Sequence, residues 1–277
     1  MPKIKVNGLN FNYEQQGSGD PLILIPYLAG DNACYAFQVA DYAKHFTCIS
    51  LDLRGTGETD KPGGLHSTEL YADDVSSFMQ AIGVERAHVM GLSLGAAIGL
   101  WLASKYPGKV KTLSVHSPFT KTDLFMKRIL EGWKLMAQAL GSVQEMTILG
   151  IFPWCFTPEL FIKQPDYIES LSAFVRSRPV QPLEAFRQQA NAVMTHDVES
   201  QLNRITAPTL MTFGQYDQIT SVRFAEPLKE NIPNTEMIVF DDAAHTPIYE
   251  QVAEFNERTI VFMQTHSDKT RVSSITG

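Results

Sequence analysis

Three residues in this chain are of the right types, and fall in the right order, for nucleophilic chemistry: Ser93, Asp217 and His245. Ser93 lies in Gly91-Leu92-Ser93-Leu94-Gly95, a G-x-S-x-G pattern. In that pattern the serine sits on a strained strand-to-helix turn that lifts its hydroxyl above a sheet. Gly91 and Gly95 lack Cβ atoms, so strand and helix can close on the turn. The Leu94 amide then points at whatever Ser93 attacks, beside a helix N-terminus that favours negative charge. A serine hydroxyl is a poor nucleophile; it needs a base, and the base needs an orienting acid. Both are expected downstream, on loops just after strands, with the acid first. Asp217 follows the apolar run Thr209 to Gly214, and His245 follows Glu236 to Phe240. Asp241 and Asp242 are rival acids, but their adjacency to His245 makes the geometry awkward.

These loops need a sheet to hold them. Ile4 to Val6 and Leu9 to Glu14 alternate around Asn7-Gly8, a hairpin signal. Leu22 to Ile25, Thr47 to Leu53, Ala87 to Met90, Val110 to His116 and Thr209 to Gly214 read as buried strands. Helical spacing covers Ala33 to Phe46, Ser67 to Ile82, the stretch after Ser93, Val222 to Asn231 and Pro247 to Met263. Strands alternating with helices predict a mostly parallel sheet covered on both faces. Between Pro118 and Arg204 strand texture vanishes, and helices are expected at Asp123 to Leu140, Val143 to Ile151, Pro165 to Arg176 and Pro182 to Thr195. We therefore expect a core of residues 1–119 and 205–277, with a helical cap of residues 120–204 above the C-terminal edge of the sheet, where such folds place ligands. Ser267 to Gly277 is polar and is expected to fray.

Composition narrows the partners. A net charge of −7 argues against nucleic acid or an anionic membrane. No apolar run reaches the ~18 residues of a membrane span. The start, Met1 to Val6, enters a strand with no signal-peptide core. Cys34, Cys48 and Cys155 are odd in number without C-x-x-C spacing, which reads as buried thiols in a reducing, cytoplasmic compartment. The seven histidines have no ligand spacing, so no metal site is indicated. Oligomeric state is not legible.

Taken with Asp52-Leu53-Arg54-Gly55-Thr56-Gly57 and the Pro247 to Phe255 run, the three loops resemble the α/β-hydrolase family over essentially the whole chain. The resemblance implies an eight-stranded, mostly parallel sheet flanked by helices, an inserted cap, and a triad of Ser93, Asp217 and His245. It implies no cofactor. The family usually carries His-Gly-x after the third strand, where the amide of x completes an oxyanion hole. Here the residues are Pro26, Tyr27 and Leu28. The hole needs a backbone N–H rather than a side chain, so Leu28 and Leu94 are the expected donors. Tyr27 either narrows the pocket or offers its hydroxyl to substrate. Asp52 and Arg54 read as structural and His88 as a packed strand residue.

Substrate-binding candidates are Tyr27, His116, Met126 and Trp154. His116 ends a strand and is expected to pack or to line the pocket. Met126 and Trp154 belong to an apolar set that includes Phe125, Ile129, Leu130, Trp133, Met136, Met146, Ile151, Phe152 and Phe156. Such a cap suits a bulky apolar ester or lactone, with no basic cluster to grip an anion. Pro26-Tyr27-Leu28-Ala29-Gly30-Asp31, the elbow and the aromatic cap are also similar to macrolide esterases. Small-ester hydrolases, enol-lactonases, perhydrolases and carbon–carbon bond hydrolases share the triad. So do receptors of this fold that bind a ligand with little turnover.

Overall fold

A computed structural model describes residues 2–267. The expected frayed tail, apart from Ser267, lies outside them. In chain order the structure opens with strands β1 (Lys3–Val6) and β2 (Leu9–Gln16), then β3 (Asp20–Ile25), helix α1 (Ala36–Tyr42), β4 (Phe46–Leu51), α2 (Thr68–Ala81), β5 (Ala87–Leu92), α3 (Leu94–Lys105) and β6 (Val110–His116). Next come α4 (Leu124–Leu140), α5 (Val143–Met146), a π-helical turn at Thr147–Ile151, α6 (Phe152–Cys155), α7 (Pro158–Lys163), α8 (Pro165–Ser177) and α9 (Leu183–Met194). The chain then returns to the sheet with β7 (Thr209–Gly214), α10 (Ala225–Asn231), β8 (Thr235–Phe240), α11 (Pro247–Glu250) and α12 (Val252–Thr265).

The eight strands form one sheet in the order β1-β2-β4-β3-β5-β6-β7-β8. β1, β2 and β4 pair antiparallel, and every other pairing is parallel. β3 shows why the sheet is covered on both sides. Ile23 and Ile25 point into one core with Val89, while Leu22 and Leu24 point into the other with Met90 and Leu92. Each buried side chain of this size contributes roughly 1.5–3 kcal/mol, so the central strands are strongly pinned in register.

Two expected helices are interrupted. The span 33–46 becomes a 3₁₀ turn (Asn32–Tyr35), α1 and then a non-helical corner. Gly17 and Gly19 press on that corner: a Cβ on Gly17 would lie 2.5 Å from the Ala43 carbonyl oxygen, and one on Gly19 2.5 Å from that of His45. The last helix breaks at Gln251 between α11 and α12. In the β6–β7 insertion, α7 was not expected. The segment 143–155 is helical throughout but passes through the π turn. The insertion is pinched at its base by the bridge and ion pair of Lys121 with Asp197.

Candidate active site

The elbow is built by close approach. A Cβ on Gly95 would sit 2.2 Å from the Ile25 carbonyl oxygen, and one on Gly91 2.2 Å from the Gly95 carbonyl carbon. Nothing larger than glycine fits without displacing backbone. Ser93, between them, has φ 54° and ψ −111°, a conformation that costs an L-residue about 1–3 kcal/mol. Its amide donates to the His116 carbonyl (2.9 Å) and its carbonyl accepts from Ala97 (3.0 Å), so neighbours hold the strain. From Ala87 to Leu100 every residue is buried except Ser93.

Asp217 and His245 arrive from the ends of β7 and β8. Gly214 ends β7, and a Cβ there would lie 1.9 Å from the Ala244 carbonyl oxygen, so glycine lets the two loops touch. The amides of Gln215 and Tyr216 then donate to Phe240 (2.9 Å) and Ala243 (3.0 Å). His245 Nδ1 donates to Asp217 Oδ2 at 2.9 Å, with both side chains buried. Asp217 Oδ1 accepts from the amides of Ile219 (2.7 Å) and Thr220 (2.9 Å). Burial alone would raise the Asp217 pKa. The charge and hydrogen bond of His245, with the two amides, outweigh it and hold the carboxyl below its usual range. Thr220 Oγ1 lies 3.0 Å from Asp217 Oδ2 and 2.9 Å from the Ser117 carbonyl oxygen. Ser117 Oγ donates to the His245 carbonyl (2.7 Å).

Ser93 and His245 line the same cavity, of about 120 Å³, with Leu28, Tyr27 and Met126. Among the described residues the Ser93 hydroxyl makes no hydrogen bond. Such contacts often tighten only around substrate. The amides of Leu28 and Leu94 donate to no protein acceptor among the described residues, so both are available to an incoming oxygen. The turn carrying Leu28 is closed by Gly30 donating to the Tyr27 carbonyl (3.0 Å), with Ala29 at φ 60°. Gln189 of α9 accepts from the Ala29 amide (3.0 Å) and so braces that turn from above.

The other sequence candidates divide. Tyr27 lines the cavity, but its proton is committed. Tyr249 donates to the Cys34 carbonyl (2.7 Å), so the 2.6 Å Tyr27–Tyr249 contact has Tyr27 as donor. Its hydroxyl is therefore no donor to substrate. Two candidates need correction: neither His116 nor Trp154 is among the residues lining the cavity. The His116 ring is fully buried between Thr212 Oγ1 (2.8 Å) and Phe255 (4.6 Å), and burial lowers its pKa to about 3. Trp154 packs edge-on against Phe125, outside the cavity. Asp52 and Arg54 hold loops. Asp52 accepts from the amides of Asn32 (2.7 Å) and Glu58 (2.8 Å), and Arg54 pairs with buried Asp74. His88 is fully buried and bonds Thr112 (2.8 Å). Among the described residues no cluster of three His, Cys, Asp or Glu is placed to hold a metal.

An elbow serine after β5, a buried carboxylate after β7 and a histidine after β8 stand in the order that a serine hydrolase of such a sheet uses. Comparison with known proteins agrees. Residues 20–252 match the family model described as the alpha/beta hydrolase fold. The chain belongs to the α/β-hydrolase fold family. It is 26% identical to a putative carbamate hydrolase, RutD, of Azorhizobium caulinodans, covering 95% of this chain and 98% of that protein. It is also 26% identical to 3-oxoadipate enol-lactonase 2 of Acinetobacter baylyi, covering 91% and 92%. Among solved structures, a thermophilic esterase from Thermogutta terrifontis superposes with a TM-score of 0.84 at 23% identity, covering 96% and 99% of the two chains.

Proposed function

We propose that the protein hydrolyses a carboxylic ester or lactone through a serine acyl-enzyme. The observation that carries this reading is the His245–Asp217 pair at 2.9 Å, opening on the cavity that Ser93 also lines. In the proposed cycle His245 Nε2 takes the Ser93 proton as Oγ attacks the carbonyl carbon. The Leu28 and Leu94 amides hold the oxyanion. As the tetrahedral species collapses, His245 returns the proton to the leaving oxygen. Water then gives a proton to His245 and its hydroxide to the acyl carbon, and His245 passes that proton to Ser93 Oγ as the acid leaves. Asp217 holds the neutral imidazole in the Nδ1–H tautomer and stabilises the imidazolium that forms when Nε2 takes a proton.

The cavity walls favour a neutral, apolar acyl group. Met126, Ile129, Leu130, Trp133 and Phe152 line it, and the charge of the lining Arg178 is met by Asp31 at 2.8 Å. At about 120 Å³ the cavity falls below the ~300–1,000 Å³ of drug-sized sites, so a macrocyclic lactone is not favoured. Small esters and lactones are, in keeping with the enol-lactonase and esterase relatives. Residues 120–204 form the proposed cap domain. Cys34, Cys48 and Cys155 are buried, free thiols, which supports a cytoplasmic location. No helix among the described residues is long and apolar enough to cross a membrane.

A panel of p-nitrophenyl esters and small lactones, with products followed by mass spectrometry, tests the proposal. Turnover by the wild type, abolished in Ser93→Ala, is expected. Binding without turnover, or full activity in Ser93→Ala, would refute it.

A further inference from the structure

One half-buried carboxylate near the site forms no ion pair among the described residues and has no part in the proposed cycle. Glu250 closes α11, five residues after His245. Its Oε1 accepts from the amide (2.8 Å) and the hydroxyl (2.7 Å) of Thr157, which caps α7 in the insertion. Its Oε2 accepts from the amide of Ala244 (2.8 Å), the residue immediately before His245. No Lys, Arg or His forms an ion pair with it among the described residues. On the other flank of His245, the amide and hydroxyl of Thr246 both donate to the Cys155 carbonyl (3.2 and 2.9 Å). The histidine is thus carried on a short loop fastened on both sides to residues 155–157 of the insertion.

A charge partly withdrawn from water without a counter-ion has a cost, and a neutral acceptor could cap Thr157 alone. Three donors converge on its two oxygens, and donors to an ionised carboxylate make the stronger, charge-assisted bonds. Burial raises the Glu250 pKa, while its hydrogen bonds from Thr157 and Ala244 oppose that rise. The geometry points to Glu250 as a positioning residue for His245: it fixes the backbone that carries the base and registers that loop against the cap. This rests on the esterase reading, since it assigns Glu250 to the same base.

Glu250→Gln separates the two halves of the link. The amide oxygen can still serve Thr157, but an NH₂ group would oppose the Ala244 N–H, donor against donor. We expect kcat, per active site titrated with a fluorophosphonate, to fall about 10- to 100-fold with KM within about twofold, since a misplacement of order 1 Å costs about that much. Glu250→Asp, which keeps the charge, should recover part of kcat. A kcat and KM both within about twofold of wild type in Glu250→Gln would overturn the inference alone. A wild type that turns over no ester overturns the parent reading and this one with it. Should Glu250→Gln fail to fold, Thr157→Val removes only one of the three donors. It should then give a smaller fall in kcat at constant KM, and wild-type kinetics there would overturn the inference.

Discussion

Ser93 is the only residue from position 87 to 100 that is not buried, and it sits in a positive-φ conformation that its neighbours enforce. The strain keeps the hydroxyl above the sheet edge, where it can meet a carbonyl. Its base depends on one hydrogen bond. With Asp217 Oδ2 accepting from Nδ1, the imidazole presents a lone pair at Nε2. Asp217→Asn would place an NH₂ donor against Nδ1 and favour the opposite tautomer, whose Nε2 already bears a proton. We expect kcat to fall by about 10⁴ with little change in KM. Initial rates on a p-nitrophenyl ester check this, and a loss of less than about tenfold would contradict the assigned role. The three residues of the proposed triad are legible in the sequence because each follows an apolar strand and because the order is fixed. The residues that hold them are not. Thr220 and Ser117 carry no motif, while Gln189 reaches the oxyanion turn across 160 positions and Glu250 reaches Thr157 across 93. Contacts of that span leave no periodicity to read.

At the scale of elements, continuous apolar runs located the central strands well, because a strand buried on both faces has no polar alternation to blur it. Helix ends were harder. Packing of Gly17 and Gly19 against residues 43–46 ends α1 early, an effect with no local signal. In α4 the buried stripe is Met126, Leu130, Trp133 and Ala137, spaced for one helical face. Phe125 and Met136, which belong to the same apolar run, are exposed instead. Apolar composition alone could not separate the two faces, and for the same reason it misplaced Trp154 as a cavity residue. Gly214 carried a readable clue. A glycine closing a strand before a candidate acid marks a close backbone approach, and here that approach is the contact between the acid and histidine loops.

Across the whole molecule, folding buries histidines in neutral form. Burial lowers the pKa of His88 to about 4, of His116 to about 3 and of His196 to about 4. An unfolded histidine titrates near 6.5, so below that pH the unfolded chain binds protons the native state refuses. The stability these groups contribute is complete above about pH 6.5 and is lost as the pH falls toward 4, by about 1.4 kcal/mol per pH unit per group. Asp217, with a depressed pKa, adds a further loss only below the usual carboxyl range. The urea midpoint should therefore be clearly lower at pH 5.0 than at pH 7.5; an equal or higher midpoint would contradict the neutral buried state.

In the proposed enzyme Ser93 is a nucleophile activated from positions 217 and 245. The most direct test of that role is the intact mass and peptide map of the protein after treatment with a fluorophosphonate. A single adduct on Ser93 is expected, formed quickly in the wild type, absent in Ser93→Ala and strongly slowed in His245→Ala. No adduct, an adduct on another residue, or labelling indifferent to His245 would contradict it.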